Sequence, residues 1–139
     1  MAYAPKRSAA MANAACDAMV DLLNSGLLKI YAVGSGVPAS VADAITDQPL
    51  LAELTLNATA FGNAGASNPG EAIAGAITGD TTANNTGTAS FFRISTSGGV
   101  ASFQGLCGTS GSDLNLNSTA IQAGAAVDVT SLTITEGLG

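Results

Sequence analysis

Ser25-Gly26-Leu27-Leu28-Lys29-Ile30-Tyr31-Ala32-Val33 is where the chain changes its period. Before Gly26, Met11, Ala15, Ala18, Met19, Leu22 and Leu23 recur at three- and four-residue steps. That spacing predicts a helix over residues 9–24, with these side chains on one face. Asn13, Asp17, Asp21 and Asn24 then form a wet opposite face. Ser8 suits the N-cap, and Gly26 suits the C′ position that closes the helix. After Gly26 the period is two. Leu28, Ile30 and Ala32 share one side of a strand over residues 27–33, and Leu27, Lys29, Tyr31 and Val33 share the other.

The same period recurs downstream. Residues 50–57 alternate Leu50, Ala52, Leu54 and Leu56 with Glu53 and Thr55. Residues 72–78 alternate weakly around Ile73 and Ile77. Residues 88–95 and 100–106 read as two strands of a hairpin closed by Thr96-Ser97-Gly98-Gly99. Residues 113–119 and 126–135 complete the set. Residues 62–70 and 80–87 are loops, and residues 39–48 have the makings of a short helical turn around Val41, Ala42 and Ile45. One helix followed by short strands with regular turn signals predicts a mainly β fold. We expect an antiparallel β-sandwich, jelly-roll-like, with one N-terminal helix and an extended N-terminal arm. Residues 1–26 form the arm and helix, and residues 27–139 the sandwich domain.

Composition removes several function classes. The 139 residues hold four basic and ten acidic side chains, a net charge of −6. Lys6, Arg7, Lys29 and Arg93 cannot make the basic surface that phosphate backbones require, so no nucleic acid is expected as a partner. The chain has no histidine, which removes histidine-based triads and histidine metal ligands. No stretch has the ~18 consecutive apolar residues of a membrane span. The basic, alanine-rich N-terminus is not a signal peptide, because Asn13, Asp17 and Asp21 interrupt its apolar run.

Few segments could carry chemistry. Asp113, Asn115 and Asn117 alternate and would offer oxygens on one face, but the spacing lacks the glycine and glutamate of a calcium loop. Gly34-Ser35-Gly36 and Gly79-Asp80-Thr81-Thr82 are glycine-containing turns without the lysine or following helix of a phosphate cradle. Asp43, Asp47 and Glu53 form no recognisable acid–base pair. Cys16 and Cys107 sit among small apolar neighbours and read as free thiols in the interior, with a disulfide between them as the alternative that nothing in the sequence requires. No catalytic residues, cofactor or metal are expected. The apolar helix face is compatible with packing on the chain's own sheet or on a neighbouring chain.

Four segments together resemble a known group. They are residues 15–26 (ACDAMVDLLNSG), 51–56 (LAELTL), 88–94 (TASFFRI) and 108–118 (GTSGSDLNLNS). They are similar to small proteins encoded beside the capsid genes of tailed bacteriophages and prophages, and the similarity spans about residues 12–135. The resemblance implies a virion structural protein, made in the bacterial host cytoplasm and placed on the capsid surface. It implies a capsid decoration (cement) protein that clamps major capsid protein subunits, often as a trimer. Other virion parts, such as a tail-tube, head-completion or fibre-base subunit, are the alternative, and a glycan-binding or cell-wall-active module is a further one. On this reading the N-terminal arm and helix grip the partner, through Tyr3, Lys6, Arg7, Met11 and Met19.

Overall fold

The structure is a computed structural model and describes residues 6–136. One helix, α1 (Ala9–Asp21), precedes ten strands. They are β1 (Leu27–Tyr31), β2 (Leu50–Leu56), β3 (Glu71–Ile73), β4 (Ile77–Thr78), β5 (Gly87–Thr88), β6 (Phe91–Ser95), β7 (Ala101–Gly108), β8 (Leu114–Leu116), β9 (Ala120–Ile121) and β10 (Val129–Thr135). Eight strands form one sheet in the order β3-β10-β8-β7-β6-β1-β2-β4, and β5 pairs with β9. The two edge strands, β3 and β4, are separated in the chain only by Ala74, Gly75 and Ala76. The sheet therefore curls until its edges almost meet, in a sandwich-like arrangement that encloses the core. A mainly β architecture with one N-terminal helix is what the change of period at Gly26 predicts.

The core lies between the inner faces of the curled sheet. Leu28 and Ile30 of β1, Leu54 of β2, Phe92 and Ile94 of β6, Leu114 and Leu116 of β8, and Leu132 and Ile134 of β10 are all buried. Their spacing is the period-two pattern of the sequence. The central strand β6 is buried on both faces. Phe91 stacks on Tyr31, with ring centroids 5.2 Å apart. Phe92 meets Phe103 at 5.9 Å inside the sheet.

Three details differ from the sequence-based expectation. The run at 72–78 is two short strands, β3 and β4, on opposite edges of the sheet. Residues 39–48 form turns rather than helix. One strand pair, β7–β8, is parallel, pairing Cys107 with Leu114 and Gly108 with Asn115. Parallel neighbours usually need a long crossover. Here only two residues of each strand pair, and the intervening loop is tied to itself. The Asp113 carboxylate accepts from the Leu106 N–H. The Asn115 side chain accepts from the Ser112 N–H and donates to the Ser112 carbonyl.

The helix is capped as expected at its start, where the Ser8 hydroxyl accepts from the Met11 N–H at 3.2 Å. Of the expected stripe only Leu23 is buried. Ala12, Cys16, Val20 and Leu23 face the sheet, whereas Met11 and Leu22 are each 65% exposed. Three of the four side chains assigned to water hold a loop instead, while Asp21 stays exposed. Asn24 Oδ1 accepts from the Ala60 N–H at 2.8 Å, Asp17 Oδ1 from Ala64 at 2.7 Å, and Asn13 Oδ1 from Gly70 at 2.7 Å. Residues 60–70 thus run antiparallel to the helix, pegged at three points. Small residues on the buried stripe make this close packing possible, because a Cβ on Gly70 would lie 3.2 Å from Ala12 Cβ.

The helix ends differently as well. Ser25, with φ of 58°, takes the left-handed position expected of Gly26. Gly26 is required for a different reason: a Cβ there would sit 2.3 Å from the Ser95 carbonyl oxygen and 2.8 Å from that of Leu23. Neither backbone atom can move without displacing β6 or the helix end. Gly26→Ala should therefore cost about 2–3 kcal/mol, read as a lower urea midpoint at unchanged slope.

Candidate interaction surface

Of the residues expected to grip a partner, Tyr3 lies outside the described residues. Lys6 is exposed at the entry to the helix. The Arg7 guanidinium is engaged within the chain, in an ion pair with the Glu136 carboxylate at the end of β10. Glu136 also donates its N–H to the Gly70 carbonyl. Arg7 thus ties the start of the helix to the last strand and to the pegged loop. Met11 and Met19 are solvent-facing, at 65% and 37%. Leu22, from the same apolar run of the helix, is exposed beside them.

Beside this stripe lies a groove of about 90 Å³, lined by Met19, Leu22, Leu23, Ser102, Phe103 and Ile134. Only Cys107 and Gly108 of β7 pair with β8, so the first half of β7 and the end of β10 diverge. The C-terminal turn of α1 packs at this divergence. The residues around the groove are almost all apolar and none is charged, so it can exclude water but offers no acid, base or nucleophile.

The loops that could have carried chemistry are satisfied by their own side chains. Asp113 and Asn115 are committed to the β7–β8 loop, and Asn115 Nδ2 also donates to Ser131 Oγ at 2.9 Å. In the 34–36 turn the Ser35 hydroxyl donates to Asp47 Oδ1 at 2.9 Å. Bonds from the Ser35 side chain and backbone hold the Asp47 carboxyl below its usual range. In the 79–82 turn Asp80 accepts from the Thr82 and Glu53 N–H groups. A carboxylate fills each turn where a phosphate would have to sit. Asp43 accepts from the Ser40 N–H, and Glu53 lies opposite Lys29 across β1–β2 at 4.0 Å. Among the described residues no three His, Cys, Asp or Glu side chains converge as metal ligands.

One polar hub escaped the sequence reading. Arg93 is buried on the outer face of β6, beneath the loop over residues 34–48. Its Nε donates to Gln104 Oε1 at 2.8 Å and its Nη2 to the Ser40 carbonyl at 3.1 Å. Gln104 Nε2 donates onward to the Pro38 carbonyl at 2.7 Å. The only available signal was the alternation that places Phe91 and Arg93 on one face. Its covering loop is 53 residues away in sequence.

Both cysteines are free. Burial, then the neighbouring Asp17 charge, raises the Cys16 thiol, which donates to the Ile134 carbonyl at 3.5 Å. Burial, with a smaller contribution from Asp113, pushes Cys107 up to about 12. A thiol with a raised pKa stays protonated at pH 8, and only the thiolate attacks alkylating agents. Iodoacetamide at pH 8 should label Cys107 at least ~100-fold more slowly in the native protein than in urea. Labelling at equal rates would place that thiol in water.

No protein-family model, curated protein or solved structure matches this chain.

Proposed function

We propose that this chain is a structural virion protein of a tailed bacteriophage: a capsid decoration (cement) protein that binds the major capsid protein on the head surface as a homo-oligomer. It works by covering and clamping, with no catalytic step of its own. The observation that supports this reading is the nature of its exposed surface. Met11, Leu22, Val100 and Leu106 are each more than half exposed, while the polar groups of its glycine-rich turns are spent inside the chain. Such a surface suits burial against other protein and offers little to a reacting small molecule. The resemblance of residues 15–26, 51–56, 88–94 and 108–118 to phage proteins supplies the capsid as the partner.

A tail-tube role is less well supported, because it calls for a long extending hairpin. The β6–β7 hairpin is closed tightly, by hydrogen bonds between Thr96 and both Val100 and Gly99. Attachment to the shell is assigned to the N-terminal segment, which enters the helix at Lys6 and Arg7.

The decisive experiment adds the purified protein to phage heads that lack it and images them by cryo-electron microscopy. Ordered density at fixed positions on the head surface is expected. Density confined to the tail, or no binding at all, overturns the reading. Deletion of residues 1–5, which spares Arg7 and the Ser8 cap, should lower occupancy without shifting the thermal midpoint.

A further inference from the structure

We propose that the outer stripe of α1 pairs with the same stripe of a second copy of this chain, antiparallel, about a two-fold axis. This goes beyond the virion reading and does not depend on it.

The helix carries three polar side chains, Asn13, Asp17 and Asp21. Two of them, Asn13 and Asp17, are spent on pegging the loop. A helix that is apolar around most of its girth is normally covered around most of it. The sheet covers only Ala12, Cys16 and Val20, with Leu23 just beyond. Met11, Ala15, Ala18 and Leu22 form a second stripe, roughly a third of a turn from the first at 3.6 residues per turn. Their steps of four, three and four are those of a helix–helix seam.

The spacing is palindromic, and this identifies the occupant. A two-fold axis between Ala15 and Ala18 sets Met11 of one copy against Leu22 of the second, and Ala15 against Ala18. The two alanine layers at the centre allow the helices to approach closely. The bulky Met11 at each end then reaches the groove that Leu22, Met19 and Phe103 line in the other copy. One surface thus carries both the protrusion and the recess, as a self-complementary interface requires.

Charge selects the same direction. The helix has no acidic residue in its own first turn and no basic residue in its last. Antiparallel pairing brings Asp21 of one copy alongside Ala12, within the first two turns of the other helix. Parallel pairing, as about a three-fold axis, would set Asp21 beside Asp21 and align the dipoles unfavourably. A helix of 13 residues is a small contact by the standards of stable interfaces, so the dimer should be weak and concentration-dependent.

Sedimentation velocity on the full chain over a wide concentration range tests this. A monomer–dimer equilibrium is expected, and Met11→Glu or Leu22→Glu should each weaken it at least tenfold. Both side chains are mostly exposed in the monomer, so unchanged circular dichroism and thermal midpoint will show that the fold is retained. Register is tested by mixing Met11→Cys with Leu22→Cys copies under mild oxidation and mapping the disulfides by mass spectrometry. Cross-links between positions 11 and 22 should exceed homotypic ones. A monomer at every concentration, an assembly indifferent to both glutamate substitutions, or a predominance of 11–11 and 22–22 links would overturn the proposal.

Discussion

Three side-chain oxygens on one flank of the helix hold the rest of the molecule in register. Asn24, Asp17 and Asn13 accept, in that order, the backbone N–H groups of Ala60, Ala64 and Gly70. The segment they hold is rich in Gly, Ala and Asn, and Phe61 is the one large side chain with which it anchors itself in the core. An unpegged segment of that composition would cost far more conformational entropy to order than its few contacts return. Once pegged, it delivers the chain to β3 at one edge of the sheet and, three residues later, to β4 at the other. The helix is thus a template for the loop that sets both sheet edges, and the curl of the sheet follows.

Much of the fold was legible in the sequence because period is a local property. The switch at Gly26, the β6–β7 hairpin and the alternation of β1, β2 and β10 all show in runs of five to eight residues. What was not legible depended on which of two apolar stripes the sheet would choose. Summed hydrophobicity favours Met11, Met19 and Leu22 as the buried face. The sheet chose Ala12, Cys16 and Val20, because the loop and β3 approach too closely for large side chains. That approach is set by Gly70 and Ala72, more than 50 residues downstream, and no local window contains it. The same non-locality hid the pegs: an Asn or Asp on a helix reads as solvated unless the loop facing it is known. The parallel β7–β8 pair and the Arg93 hub were hidden for the same reason. The expected contact residues are separated by the fold, with Arg7 drawn inward to Glu136 and the two methionines left outside.

A chain with so few charged side chains must satisfy buried polar groups by other means. The Arg93 guanidinium has no carboxylate partner in its hydrogen bonds; it is held by Gln104 and the Ser40 carbonyl. Removing an arginine from water without a counter-charge is expensive unless each donor finds an oxygen. Gln104 meets this need on one side and binds the Pro38 carbonyl on the other, so one amide fixes both the cation and the covering loop. Likewise Asp47, Asp80 and Asp113 each close a turn rather than face one another. The acidic surplus of this chain is therefore largely structural, distributed among loops that lack other means of staying ordered.

The distribution of volume on α1 completes the argument. In most amphipathic helices the large apolar side chains point inward and the small or polar ones outward. Here the order is mixed: Ala12 and Cys16 face in beside Val20 and Leu23, while Met11, Met19 and Leu22 face out. The inward half of this arrangement follows from the close approach of Gly70, while among the described residues nothing covers Met11 or Leu22. Lysine or glutamate at positions 11 and 22 would have kept the helix, improved solubility and cost the core nothing. The proposed pairing of two copies is a reading of those large apolar side chains, which it places against one another and against the groove that Leu22 lines.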